Sequence, residues 1–216
     1  MSDLYSKSGA QKKPAVFLRS SIARLYGYWL QALITLLLSF AMGWGFIPPF
    51  LAEAKVYRTK EEAIKQAFPD ADAVEKETVF LSDEEKKQAE ELGRVKLDSK
   101  VLTFYIGKKG KNAVGYAVFG SHIVRTKPEV YVVVINPDGS LRHVEILAFY
   151  EPQEYLPFQK WFEQFAGKVL DDSLWPKRGI HAVAGATLSV NGITQEVRKT
   201  LAVFKVMILK DKGEVK

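Results

Sequence analysis

The chain has 216 residues, of which 47% are hydrophobic and 26% charged, a composition typical of a folded protein. It contains no cysteine, which excludes disulfides, thiolate-bound iron–sulfur clusters and c-type haem, and its three histidines are too scattered for zinc-ligand spacing. Four of its six net positive charges fall in the first 24 residues, so the remainder is nearly neutral, which argues against nucleic-acid binding by a basic folded face. Any redox role therefore depends on an organic cofactor.

An uncharged apolar run at residues 25–47 predicts one transmembrane helix, with aromatic residues at both ends and Pro48-Pro49 after it. Because basic flanks stay in the cytoplasm, we expect a cytoplasmic basic tail at 1–24, a membrane helix at 25–50 and an outward-facing domain at 51–216. The alternative is a cleaved signal peptide with a cleavage site at Ala52-Glu-Ala54. The apolar region of a signal peptide has about 7–15 residues. The run at 25–47 is longer, which favours a retained anchor.

One face of the predicted membrane helix carries polar and small residues. Gln31, Thr35 and Ser39 recur every four residues, and Gly43 extends the same stripe. Aligned residues of this kind usually contact another helix rather than lipid. The stripe therefore predicts an integral membrane partner.

The next segments alternate between short helices and strands. The sequence predicts helices over Tyr57–Phe68, with Thr59 as a possible cap, and over Ser82–Leu92, closed by Gly93. A strand-like run at Thr78–Leu81 separates them.

Two β-hairpins follow. The first joins Val101–Ile106 to Ala113–Phe119, and the second joins Glu129–Ile135 to Ser140–Leu147 through Asn136-Pro-Asp-Gly139. A further helix is predicted over Tyr155–Phe165. The predicted fold is α+β, an antiparallel hairpin-based sheet with helices, preceded by one N-terminal transmembrane helix.

A stretch of small residues, Ala182-Val-Ala-Gly-Ala186, precedes Thr187, and apolar residues at helical spacing then run from Ile193 to about Leu209. Asn191 or Ser189 could cap this helix, which would put Thr187 on a turn just before its N-terminus. Such a position suits a phosphate. The alternative is a tight strand-to-helix turn that is small because of packing alone.

Three motifs resemble the FMN-binding domain family: Gly115-Tyr-Ala-Val-Phe119, the Asn136–Gly139 turn, and above all Ala184-Gly-Ala-Thr-Leu-Ser189. That family includes the flavin-bearing C subunit of the sodium-pumping NADH:quinone reductase, the G subunit of the Rnf complex and the outward-facing domain of NosR-type regulators. The resemblance covers roughly Tyr57 to Leu209. It implies that a flavin transferase joins FMN by a phosphoester bond to the hydroxyl of Thr187.

The family usually has Asp six residues before this threonine and Ser or Thr three before it. Here these positions hold His181 and Ala184, so non-covalent FMN binding is an open alternative. The candidate cofactor contacts nearest the attachment point are Ala184, Gly185, Ala186, Thr187, Leu188 and Ser189. Four candidates lie further away in the sequence: Tyr116, Tyr150, Trp161 and Glu151. Arg125 could offset the negative charge of the cofactor. For the more distant aromatics, together with Phe149, ordinary core packing is the alternative; for Arg125 it is a surface loop, and for Glu151 a strand-end cap.

The resemblance implies a membrane-anchored electron carrier in a bacterial inner membrane, with a periplasmic FMN domain in a respiratory or ion-translocating complex. No nicotinamide-binding glycine motif, acid–base pair or metal-ligand set is found, so no catalytic or metal residue is predicted and the chain is not expected to be a stand-alone enzyme. Expected partners are integral membrane subunits, a redox protein or quinone, and the flavin transferase. The alternatives are a non-catalytic flavin-sensing or assembly subunit, and a domain that binds no cofactor.

Overall fold

The computed structural model describes residues 29–36 and 55–210. The first segment belongs to one compact unit, Met1–Leu51, and the second to another, Ala52–Lys216. Residues 29–36 are helical with exposed side chains, and the Thr35 hydroxyl donates to the carbonyl oxygen of Gln31 at 2.9 Å. Within the described segments, no helix is both long enough and apolar enough to cross a bilayer.

Most of the predicted N-terminal features lie outside the described residues. These are the basic tail at 1–24, the rest of the 25–50 span including Ser39 and Gly43, and the alternative cleavage site at Ala52-Glu-Ala54. The transmembrane anchor, its partner-facing stripe and the domain limits stay predictions.

The second unit is built on a six-stranded antiparallel sheet. Its strands are β1 (Lys55–Val56), β2 (Ala73–Phe80), β3 (Val101–Lys109), β4 (Asn112–Ile123), β5 (Pro128–Ile135) and β6 (Leu141–Phe149). Their order in the sheet is β1-β6-β5-β4-β3-β2, and both predicted hairpins are confirmed, as β3–β4 and β5–β6.

Helices cover both faces of this sheet, because side chains along each strand alternate between the faces. In β5, Tyr131 and Val133 belong to the larger core, whereas Val132 and Val134 belong to the smaller one. The smaller core contains buried residues of helix α1 (Lys60–Ala67). Helices α2 (Asp83–Gly93) and α3 (Thr187–Phe204) contribute to the larger core.

The first two helices begin where the sequence predicts. Thr59 caps α1 and Ser82 caps α2, each through a capping box with a glutamate three residues later. The expected end of α2 at Gly93 is wrong by one residue, because Arg94 takes the left-handed conformation with φ 51°. Gly93 is the last helical residue and packs closely on α3, where an added Cβ would lie 3.1 Å from that of Ala202.

Helix α3 continues as a π-helical turn over Lys205–Leu209, in agreement with the predicted end near Leu209. Its Arg198 is 1% exposed and donates to the carbonyl oxygens of Gly93, Asp171 and Leu174. One buried arginine therefore fixes α3 to α2 and to the loop that precedes the small-residue stretch.

The predicted helix over Tyr155–Phe165 is wrong. Two 3₁₀ segments occupy this region, Gln153–Tyr155 and Gln159–Phe165. Pro157 separates them, because proline has no N–H to donate and disfavours helical conformation in the residue before it. The second segment still buries Trp161, Phe162 and Phe165, as the aromatic spacing indicated.

Candidate functional site

The small-residue stretch forms a tight turn that leads directly into α3. The N–H of Ala186 donates to the carbonyl oxygen of Val183 at 3.2 Å, and Gly185 has φ +84°, a conformation that glycine adopts without strain. Thr187 is the first residue of α3 rather than the residue before it. The prediction placed the threonine within one residue of its observed position.

The expected cap of α3 is wrong. Ala186 is the N-cap residue, and no side chain accepts a hydrogen bond from the first turn. Asn191 and Ser189 both lie inside the helix, and the Ser189 hydroxyl instead donates to the carbonyl oxygen of Tyr155 at 2.6 Å. Helix α3 therefore starts without the side-chain acceptor that most helices have at this position.

The turn divides into accessible and anchored residues. Ala184, Gly185, Thr187 and Leu188 are exposed, whereas two of their neighbours, Ala186 and Ser189, are 1% and 0% exposed. The buried pair fixes the turn in the core, and Thr187 remains exposed to solvent and to other molecules.

Tyr155 connects Arg125 to the start of α3. The guanidinium Nη1 of Arg125 donates to the phenolic oxygen of Tyr155 at 2.8 Å and its Cζ lies 5.2 Å from the ring centroid. The carbonyl oxygen of the same tyrosine accepts the Ser189 hydroxyl. The structure thus connects Arg125 and Ser189, two of the predicted residues, because both form hydrogen bonds with Tyr155. Tyr155 itself was not predicted as a site residue, because its sequence position suggested only a helix.

Glu151 holds the loop that carries Arg125. Its Oε1 accepts from the backbone N–H groups of Thr126 and Lys127 at 2.6 and 2.8 Å, and from the Thr126 hydroxyl at 3.0 Å. The backbone N–H of Thr126, followed by the other donors, holds the pKa of this carboxyl below its usual range. Tyr150, the preceding residue, is half-buried and its N–H donates to the carbonyl oxygen of Pro128.

Trp161 and Gln164 fix the other end of the small-residue stretch. The indole N–H of Trp161 donates to the His181 carbonyl oxygen at 2.7 Å, and the His181 N–H donates to Oε1 of Gln164 at 2.7 Å. Trp161 is 3% exposed and packs against Phe162 and Phe165. It therefore supports the main chain of the stretch, and its ring is not an open wall.

Tyr116 is not brought to the turn. Its ring packs against that of Phe204 with centroids 4.8 Å apart, on the face of the sheet that α3 covers. Phe204 is seventeen residues along α3 from Thr187, which is about 25 Å at the usual helical rise. Phe149 is also fully buried in the larger core. For both residues, the structure fits the alternative of core packing.

A cavity of about 700 Å³ lies beside the turn. We call it the Phe158 cavity. It touches the turn through Val183 and the first 3₁₀ segment through Gln153, and Phe158 on its wall is 62% exposed. It is lined by Tyr57, Arg58, Glu145, Ile146, Gln153, Leu156, Pro157, Phe158, Gln159, Phe162 and Val183.

No predicted site residue lines the Phe158 cavity, although Val183 belongs to the small-residue stretch Ala182–Ala186. The only signal in the sequence was the density of aromatic residues between Tyr155 and Phe165. Their spacing predicts a helix face rather than a cavity wall, and Tyr57 and Arg58 are about ninety residues away in sequence from the cavity residues that they bond to.

A buried pair of ionisable side chains lies under the early turns of α3. Nε2 of His122 is 3.0 Å from Oε1 of Glu129, which is 0% exposed, without the geometry of a hydrogen bond. An added Cβ on Gly192 of α3 would lie 2.2 Å from His122 Nε2, so this glycine makes room for the imidazole. Burial raises the pKa of the Glu129 carboxyl, more than His122 lowers it.

Among the described residues, no group of three or more metal-ligating side chains could hold a metal ion. Neither family models nor the sequences of curated proteins match the chain. Among solved structures, the crystal structure of Shewanella oneidensis NqrC is similar, with 15% identity and a TM-score of 0.47 over 69% of this chain and 88% of that chain.

Proposed function

We propose that this chain is a membrane-anchored flavoprotein that carries electrons through FMN, as a subunit of a respiratory or ion-translocating electron-transfer complex. The FMN phosphate binds at the start of α3 and is joined to the hydroxyl of Thr187. The observation that carries the proposal is the uncapped N-terminus of α3, with an exposed Thr187 at its first position.

The residues at this position fit a phosphate monoester. The first N–H groups of a helix have no partner within it and lie at the positive end of its dipole, so an anion can take the place of the missing cap. Arg125, fixed by Tyr155 to the same helix start, supplies a formal positive charge. The exposed Gly185 and Ala184 leave space for a ligand to approach the backbone closely.

Three of the remaining predicted residues support this site rather than form its surface. Ser189 anchors the first turn, Glu151 fixes the Arg125 loop, and Trp161 fixes the main chain at His181. Leu188 is 52% exposed next to Thr187 and offers an apolar contact. Bound FMN supplies the redox chemistry, since it accepts and releases electrons in steps of one or two.

The proposal includes an inner-membrane location, with the span at 25–50, the N-terminus in the cytoplasm and residues 51–216 in the periplasm. The stripe of Gln31, Thr35, Ser39 and Gly43 then contacts an integral membrane subunit. Gln31 and Thr35 support this, since they lie four residues apart in the described helical segment and so share one face. Electrons enter and leave through a redox protein or quinone, and a flavin transferase makes the phosphoester bond.

A second candidate is a flavin-sensing or assembly subunit that binds FMN without a covalent bond. His181 and Ala184 favour it, because both differ from the residues usual in the family and both are exposed where a transferase would contact the turn. The two candidates share the phosphate site and differ in the bond to Thr187.

The test is to purify the protein from a host that contains the flavin transferase, denature it with heat and measure flavin fluorescence in the gel. The proposal expects fluorescence in wild type and in Thr187→Ser, and none in Thr187→Ala. Yellow protein that releases FMN on denaturation would favour the second candidate. Colourless wild-type protein would contradict both.

A further inference from the structure

We infer that the Phe158 cavity is the binding site of the isoalloxazine ring, with Arg58 and Glu145 at the polar edge of the ring. The inference rests on the function proposed above, and it assigns the ring to residues that the sequence did not indicate.

The cavity has the size and the lining that a planar aromatic ligand requires. Its volume of about 700 Å³ lies within the range of about 300–1,000 Å³ typical of cofactor pockets. Its apolar walls come from three different parts of the chain, and Phe158 exposes 62% of its surface there although large apolar side chains are normally buried. These apolar residues are Ile146, Leu156, Phe158, Phe162 and Val183.

The cavity is within reach of a phosphate at Thr187. Val183 lines the cavity and is also the first residue of the turn whose last residue, Ala186, precedes Thr187. Gln153 also lines the cavity, and the carbonyl oxygen of the next residue, Glu154, lies 3.7 Å from the position that a Cβ added to Gly185 would take. The ribityl chain therefore has to pass only the three residues of the turn.

The polar side of the cavity matches the imide edge of a flavin, where one N–H lies between two carbonyl groups. Nε of Arg58 donates to Oε1 of Glu145 at 2.8 Å, and the Tyr57 hydroxyl bonds to Oε1 of Gln153. Arginine can donate to ring carbonyls, whereas glutamate and glutamine oxygens can accept the ring N–H. The edge thus offers both kinds of partner.

The arginine also sets the electrostatics of the cavity. The reduced ring carries more negative charge than the oxidised ring, so a nearby guanidinium stabilises the reduced form and a carboxylate opposes it. The side chain of Arg58 is 35% exposed and that of Glu145 11% exposed, so both charges are partly shielded from water. Removing either charge should therefore shift the flavin potential, in opposite directions.

The experiment measures the midpoint potential of the flavin in the full-length FMN-loaded protein by spectroelectrochemical titration. Arg58→Gln should lower the potential by about 30 mV, equivalent to a tenfold weaker preference for the two-electron reduced form. Glu145→Gln should raise it by a similar amount, and Arg58→Lys should stay near wild type. Phe158→Ala, at a position that is 62% exposed, should increase quenching of the flavin fluorescence by iodide.

The control is Arg178→Gln, an exposed arginine that also pairs with an acidic residue, Asp172, but does not line the cavity. Its potential should not change. Flavin bound at Thr187 with unchanged potentials in both Arg58→Gln and Glu145→Gln would overturn the cavity assignment and leave the proposed function intact. Equal shifts of the potential in Arg58→Gln, Glu145→Gln and Arg178→Gln would also overturn the cavity assignment. A wild-type protein without flavin would overturn both the cavity assignment and the proposed function.

Discussion

Trp161 donates its indole N–H to the carbonyl oxygen of His181 at 2.7 Å, across twenty residues of the chain. This hydrogen bond joins the buried aromatic cluster of the second 3₁₀ segment to the beginning of the stretch that ends at Thr187. The position of the turn therefore depends on a buried side chain that lies outside the turn.

Trp161→Phe keeps an aromatic ring in the buried cluster and removes this hydrogen bond. Because the bond is part-buried and the phenylalanine ring is smaller than the indole, we expect a loss of about 1–3 kcal/mol in the free energy of unfolding by urea. FMN occupancy should fall further than the loss of folded protein explains. Occupancy equal to wild type in the folded fraction would show that the bond does not position the turn.

Gly185→Ala tests whether the conformation of the turn matters for flavin attachment. At φ +84° an alanine is strained by about 1–2 kcal/mol, and the nearest atom would be 3.7 Å from its Cβ, so strain acts without a clash. The matched control is Gly167→Ala, where φ is +75° and no atom lies within 4 Å of an added Cβ. Both variants should lose similar stability in thermal unfolding, and only Gly185→Ala should lose flavin. Equal flavin content in the two would contradict the role of the turn.

The secondary structure agrees with the sequence-based prediction where the local sequence contains every residue of a known structural motif. Thr59 and Ser82 begin helices because each is followed by a glutamate at the capping-box position, and Asn136–Gly139 forms its hairpin turn because its residues favour that geometry. The helix expected over Tyr155–Phe165 does not form, because Pro157 interrupts the backbone hydrogen bonds. The aromatic spacing nevertheless indicated the buried side chains correctly.

The site could be predicted from sequence only near Thr187. The small residues and the following helical pattern indicated the turn, whereas the support of Arg125 by Tyr155 and the lining of the Phe158 cavity depend on contacts between distant segments. Tyr116 was assigned to the site by its residue type and packs instead near the far end of α3. Long-range contacts of this kind leave no local pattern.

Glu151→Gln should loosen the Arg125 loop. Because the backbone N–H of Thr126 lowers the pKa of the Glu151 carboxyl, the ionised form stabilises the fold above the usual carboxyl pKa, and this contribution is lost as pH falls through the lowered value. The wild type should therefore exceed the variant in stability at neutral pH by about 1–2 kcal/mol, and the difference should shrink below about pH 4. Urea unfolding at several pH values measures this, and a difference independent of pH would contradict it.

Glu129→Gln should have the opposite pH dependence. Burial raises the pKa of the Glu129 carboxyl, so its neutral form stabilises the fold below the usual carboxyl pKa, and this contribution is lost as pH rises through the raised value. The variant should therefore gain stability relative to wild type as pH increases above about 4.3. Glu163→Gln, on an exposed side chain, is the control that should show no such trend. A constant difference between pH 4 and 8 would show that Glu129 stays ionised beside His122.

The most direct test of the flavin assignment is the intact mass of the denatured protein, purified from a host that contains the transferase. We expect a mass that exceeds that of the polypeptide by FMN less one water, with the excess on the proteolytic peptide that contains Thr187. Thr187→Ala should have the mass of the unmodified polypeptide. An unmodified wild type, or an excess that persists in Thr187→Ala, would contradict the attachment of FMN to this residue.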